Sequence, residues 1–128
     1  MSRADLKAHI ETIEKAYEFF LSYAALGAAA EEASKVGGQL REFLGRTNAA
    51  LRALENDLPG LLATESLEPA DAYRDVIGVT SADAAKAGAA VRLVLAQETI
   101  SSQLIDNLNA STHLRALLTD LFLLDDVV

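Results

Sequence analysis

The chain has no cysteine, only two prolines and no cluster of lysine or arginine. Each absence closes a class of function. Without a thiol there is no disulfide, thiolate metal site, iron–sulfur cluster or cysteine nucleophile. Acidic side chains outnumber basic ones 19 to 11 over 128 residues, a net charge of −8. Binding of nucleic acid is therefore not expected, because phosphate recognition needs clustered cations. An anionic membrane surface would repel the chain. No run approaches the roughly 18 apolar residues of a membrane span. Arg3, Asp5, Lys7, His9 and Glu11 break up the stretch where a signal peptide would carry its apolar run. The expected setting is the cytoplasm.

Apolar residues make up 51% of the chain, led by 24 alanines and 21 leucines. That composition favours helix over strand and is rich enough to bury a core. The apolar residues recur at alternating spacings of three and four, the mark of a helix with one buried stripe. One domain over 1–128 is expected, with helices over about 3–26, 29–57, 69–96 and 100–125. The first stripe is Leu6, Ile10, Ile13, Tyr17, Phe20 and Ala24, with Ser2 and Asp5 as a variant capping box and Gly27 at the C-cap. The second runs Ala29, Ala33, Val36, Leu40, Phe43, Thr47, Ala50, Leu54 and Leu58, crossing Gly37, Gly38 and Gly45. Pro59 and Gly60 close it, and 59–69 reads as a loop with a short turn at Leu61-Leu62. The third is Tyr73, Val76, Thr80, Ala84, Ala87, Val91 and Val94, starting behind Pro69. The fourth starts behind Thr99 or Ser101. Four similar segments on short connections read as an all-α, antiparallel up-down-up-down four-helix bundle.

Two departures from a plain bundle suggest function. A step of roughly 100° per residue through one continuous fourth helix brings Asn107, Ser111 and Arg115 inward with Ile100, Leu104, Leu118 and Phe122. With Thr47 and Thr80 opposite, the middle of the core reads as polar. A buried Arg115 needs a carboxylate, and Glu11, Glu14 and Asp83 lie at suitable depth. A fully bonded network fixing helix register is one outcome. A pocket is the other, with Asn107, Ser111 and Arg115 orienting a polar or anionic ligand beside Tyr17 and Phe20. The second departure is apolar excess. Phe19, Tyr23 and Leu26 point away from the first stripe, and Leu117, Leu121, Leu123, Leu124, Val127 and Val128 leave the last helix apolar nearly all round. Such surface marks association, so a homo-oligomer, in the simplest case a dimer, is expected through Phe19, Tyr23, Leu26, Leu121 and Leu124.

Enzymatic motifs are absent. Neither histidine has the Glu-x-x-His spacing of a di-iron bundle, since Leu6 and Ala110 stand three residues before His9 and His113. Two histidines without cysteine do not make a structural zinc site. His9 and His113 fall out of level for a shared haem. No Gly-rich phosphate loop and no Gly-x-Ser-x-Gly elbow occurs. Glu31-Glu32 reads as charge near a helix N-terminus, and Asp125-Asp126 as a solvated helix end rather than a catalytic pair. No catalytic residue, metal or cofactor is expected. The function expected from the residues is a non-enzymatic scaffold, adaptor or assembly subunit acting through protein–protein contacts. A small-molecule-binding bundle is the alternative.

Overall fold

A computed structural model describes residues 1–27 and 35–128, with Lys35, Val36 and Gly37 described in backbone only. The described residues contain no strand. They form α1 (Arg3–Ala25), α2 (Lys35–Asp57), a 3-10 turn at Leu58–Gly60, the one-turn α3 (Leu61–Thr64), α4 (Ala70–Leu95), α5 (Ser102–Ala110) and α6 (His113–Val127). The all-helical expectation holds, but five helices longer than one turn stand where four were expected. The expected start of the second helix at Ala29, and its stripe residues Ala29 and Ala33, lie outside the described residues.

The caps follow the sequence closely. The Ser2 hydroxyl accepts from the Asp5 amide and the Asp5 carboxylate accepts from the Ser2 amide. Gly27 follows α1 at φ +68, a conformation that glycine adopts without strain. The Ser101 hydroxyl accepts from Leu104 N–H at the start of α5. At the other end of the 95–101 connection, Arg41 of α2 reaches over the end of α4. Its guanidinium donates to the carbonyls of Leu95, Gln97 and Glu98, at 3.4, 2.8 and 2.8 Å. Those are carbonyls that a helix end leaves without an intrahelical donor.

The packing is ring-like. α1 lies against α2, α5 and α6, and α4 lies against α2 and α6. Specific contacts give the directions. Ser81 bonds to the carbonyls of Leu54 and Glu55, and Arg92 to Asn48, so α2 and α4 run antiparallel. Phe19 stacks on Phe43 at 4.5 Å between ring centres. Lys7 pairs with Asp125 at 3.2 Å, and the Tyr73 hydroxyl donates to the Val127 carbonyl at 2.7 Å. The inner face of α4 is small at Thr80, Ala84, Ala87 and Gly88, which lets the facing helices approach closely. The buried side chains form one cluster, led by leucines of α2 and α6.

The expected fourth helix is broken. α5 ends at Ala110, and Thr112 stands at φ 66 before α6 begins. The run Asn107-Leu108-Asn109-Ala110-Ser111-Thr112 accounts for it. Its side chains compete with the helix for backbone groups, and the Ser111 hydroxyl indeed donates to the Leu108 carbonyl at 2.6 Å. The break resets the phase. Ile105, Leu108 and Asn109 point inward from α5, and Leu114, Leu117, Leu118, Leu121 and Leu124 from α6. A β-branched residue in the left-handed region is strained by about 1–3 kcal/mol, and Thr112 makes no side-chain cap bond that would offset it. Thr112→Gly therefore raises the unfolding free energy by about 1 kcal/mol, part of the relief being lost to the freer unfolded chain. Urea denaturation followed by circular dichroism measures it, and a destabilised variant would show that the break is unstrained.

Candidate functional site

The phase reset moves most of the residues singled out from the sequence. Asn107 and Arg115 are exposed and Ser111 is half-buried. The expectation of a polar mid-core built on them is corrected: it rested on an inward face that neither α5 nor α6 keeps, and no buried Arg115 needs a carboxylate. The two buried threonines of α2 and α4 serve their own helices. The Thr47 hydroxyl donates to the Phe43 carbonyl at 2.7 Å, and that of Thr80 to Val76 at 2.8 Å. Tyr17 and Arg115 do meet, at a surface recess of about 350 Å³ that Leu21, Asp106, Asn109 and Ala110 also line. Asn109 is the residue missed there. Its amide donates to the Phe20 carbonyl at 3.3 Å, while its Oδ1 is buried without a donor.

The expected interface residues also divide. Tyr23 is core, with its hydroxyl donating to the Ile100 carbonyl at 2.8 Å. Leu121 and Leu124 are core as well, because α6 turns them inward. Those three are corrected from outer-face to interior residues. Phe19 is half-buried on Phe43, and Leu26 stays 58% exposed.

A different apolar surface takes their place. In α4, Ala72, Val76, Val79 and Asp83 follow each other at four, three and four residues, one face of a helix. In α6, Val127, Leu123, Asp120 and Ala116 do the same in the opposite direction. The two faces border one groove. Ala72, Tyr73, Val76, Leu123, Leu124 and Val127 line a recess of about 180 Å³ in it. Val79 is 57% and Leu123 58% exposed, so the groove opens outward. Phe122, also exposed, lies on the other flank of α6, toward α1.

At the inner end of the groove, Asp120 and Asp83 face one another across the α4–α6 contact. Burial pushes the Asp120 carboxyl up from 3.8 to about 6, and Asp83 beside it adds to the rise. One Asp120 oxygen, Oδ2, is buried without a donor. Two carboxyls at one site resist ionising together. The ion pairs among the described residues lie elsewhere, at Lys7–Asp125, Glu11–Lys15, Glu42–Arg46 and Asp71–Arg74.

His9 and His113 lie near opposite ends of the antiparallel α1–α6 pair, roughly 15 Å apart along it when counted from the Lys7–Asp125 contact at 1.5 Å per residue. Among the described residues no three histidine or acidic side chains gather as metal ligands, and no helix is long and apolar enough to cross a membrane. Comparison of the chain with protein-family models, curated proteins and solved structures finds no match.

The Asp120 carboxyl makes stability pH-dependent. The folded chain holds this proton more tightly than the unfolded chain. Its contribution is therefore complete below about pH 4 and is lost as the pH rises through about 6. Asp120→Asn keeps the shape and removes the charge. It stabilises the fold at pH 7.5 by about 1 kcal/mol, a value discounted for partial solvent access, and leaves it unchanged at pH 4. Urea midpoints of parent and variant at the two pH values decide this, and equal differences at both would refute the assignment.

Proposed function

We propose that this chain is a non-enzymatic helical bundle that self-associates and works through protein–protein contacts, as a scaffold, adaptor or assembly subunit of the cytoplasm. In this reading the five helices stand as an up-down-up-down four-helix bundle whose fourth arm is α5 and α6 together. The observation that carries it is large apolar surface at two separated places. Leu21 and Leu26 are exposed at the end of α1, and Val79, Leu123 and Val127 along the α4–α6 groove. Scattered exposed leucines carry no meaning, but apolar side chains grouped around a recess mark contact surfaces. The homodimer keeps Phe19 and Leu26 of its five expected residues, so the end of α1 is its contact. The acidic groove is the poorer choice for two identical copies.

Native mass spectrometry of the purified chain tests this. The expected mass is that of a dimer. Leu26→Asp shifts it to monomer, while Leu123→Asp leaves it dimeric. A parent chain that stays monomeric up to high micromolar concentration ends the self-association reading.

The alternative, a small-molecule-binding bundle, has one observation in its favour: Tyr17 and Arg115 share a recess with the unsatisfied carbonyl of Asn109. Arg115 suits a carboxylate or phosphate there. Extra mass retained in native spectra, and lost both on denaturation and in Arg115→Met, is the expected outcome of that reading. A bare parent chain removes it.

A further inference from the structure

The α4–α6 groove carries two deficits along one line. From Ala72 to Asp83 it is roughly 17 Å long at 1.5 Å per residue, three turns of an α-helix. Its outer two-thirds is apolar and open, with Val79 and Leu123 more than half exposed. Its inner end holds Asp83 and Asp120, with Asp120 Oδ2 buried and, among the described residues, no cation in an ion pair with either carboxyl. By helical spacing Lys86 stands one turn further along and His113 two, and neither is in an ion pair with them. An apolar strip that ends on unneutralised carboxyls matches one kind of surface: a helix with apolar residues at i, i+4 and i+7 and a cation one turn beyond. A second copy of this chain fits poorly, because symmetric pairing of the groove would set two carboxyl pairs against each other on chains of net charge −8.

We propose that the groove between α4 and α6 docks an amphipathic helix of a partner protein, with one lysine or arginine of that helix set against Asp83 and Asp120. This rests on the reading that the chain works by protein contact, and names the partner chemistry of one of its two surfaces. Val76, Val79, Leu123 and Val127 take the apolar side of the helix. The carboxyl pair sets its register and direction, since a cation at the wrong turn leaves the pair unneutralised.

The test is a selection. A phage-displayed library of helical peptides, with leucine held at three positions of one face and the others free, is panned on the immobilised full chain. The parent enriches peptides carrying lysine or arginine one turn beyond the last leucine. The Asp83→Asn/Asp120→Asn double variant still enriches the leucine face but without that preference, and binds the parent's best peptide at least tenfold more weakly. Leu123→Asp, exposed and harmless to the core, enriches nothing. Peptides without a cation preference, or equal affinity for parent and double variant, overturn the proposal. So does an absence of enrichment. Peptides that bind Leu123→Asp as well as parent overturn the groove alone and leave protein contact standing elsewhere. If no peptide is selected and Leu123→Asp turns a parent dimer into monomer, the occupant is a second copy. If no peptide is selected and the parent is monomeric, the protein-contact reading falls with it.

Discussion

Thr112 adopts a left-handed backbone, φ 66, between two helices that would otherwise run as one. The fourth side of the molecule depends on that residue. A continuous helix from Ser102 to Val127 that kept the Ile105–Asn109 face of α5 inward would, at about 100° per residue, carry Thr112, Ala116, Asp120 and Leu123 along it. The turn at Thr112 re-aims the second half. Leu114, Leu117, Leu118, Leu121 and Leu124 then fill the space between α1 and α4, while Arg115 reaches solvent. The local strain is small beside the alternative. Leaving out those leucines would forgo roughly 1.5–3 kcal/mol for each one buried.

Most of the fold was legible because most of the helices are regular. The stripes of α1, α2 and α4 repeat at threes and fours, and their buried residues Leu6, Ile10, Ile13, Leu40, Thr47, Leu54, Thr80, Ala84 and Val91 follow that rhythm. The capping box at Ser2, the C-cap at Gly27 and the cap at Ser101 could be read one residue at a time. The break at Ser111–Thr112 was missed because it carries neither glycine nor proline. Its signal was softer: Asn107, Asn109, Ser111 and Thr112 within six residues, each with a side chain able to bond locally. Once the phase was lost, most inferences about which side chains of the fourth helix face inward inherited the error, Ile100 and Leu118 excepted. That is why Leu121, Leu124 and Arg115 were placed on the wrong side. Tyr23 failed for a different reason. Periodicity does not anticipate a hydroxyl that finds the Ile100 carbonyl 77 residues away.

Three long side chains hold the ends of the bundle in a way no stripe predicts. Tyr23 ties the end of α1 to the connection before α5, Arg41 covers the last carbonyls of α4, and Tyr73 fastens the last turn of α6. Each places a donor on a carbonyl that a helix end or a connection leaves open. The middle of the bundle needs no such ties. There the hydroxyls of Thr47 and Thr80 bond within their own helices, so neither is free to meet a ligand.

The carboxyl pair of α4 and α6 is the opposite case. No cation among the described residues pairs with Asp83 or Asp120, and ionised Asp120 carries a burial cost that an asparagine or a leucine would not. Residues that weaken a fold are the ones to examine for function, because local consistency is most often broken where a surface must do something else. Nothing in the α4–α6 packing requires a charge at Asp120: Leu117, Leu121 and Leu124 already supply the contact. The cost is largest near neutral pH, where the buried carboxyl loses its proton, and a cation at that point would remove it. The apolar part of the groove has the matching deficit, since Val79 and Leu123 gain only when covered. One partner helix relieves both at once, and a water molecule or a free cation relieves at most one.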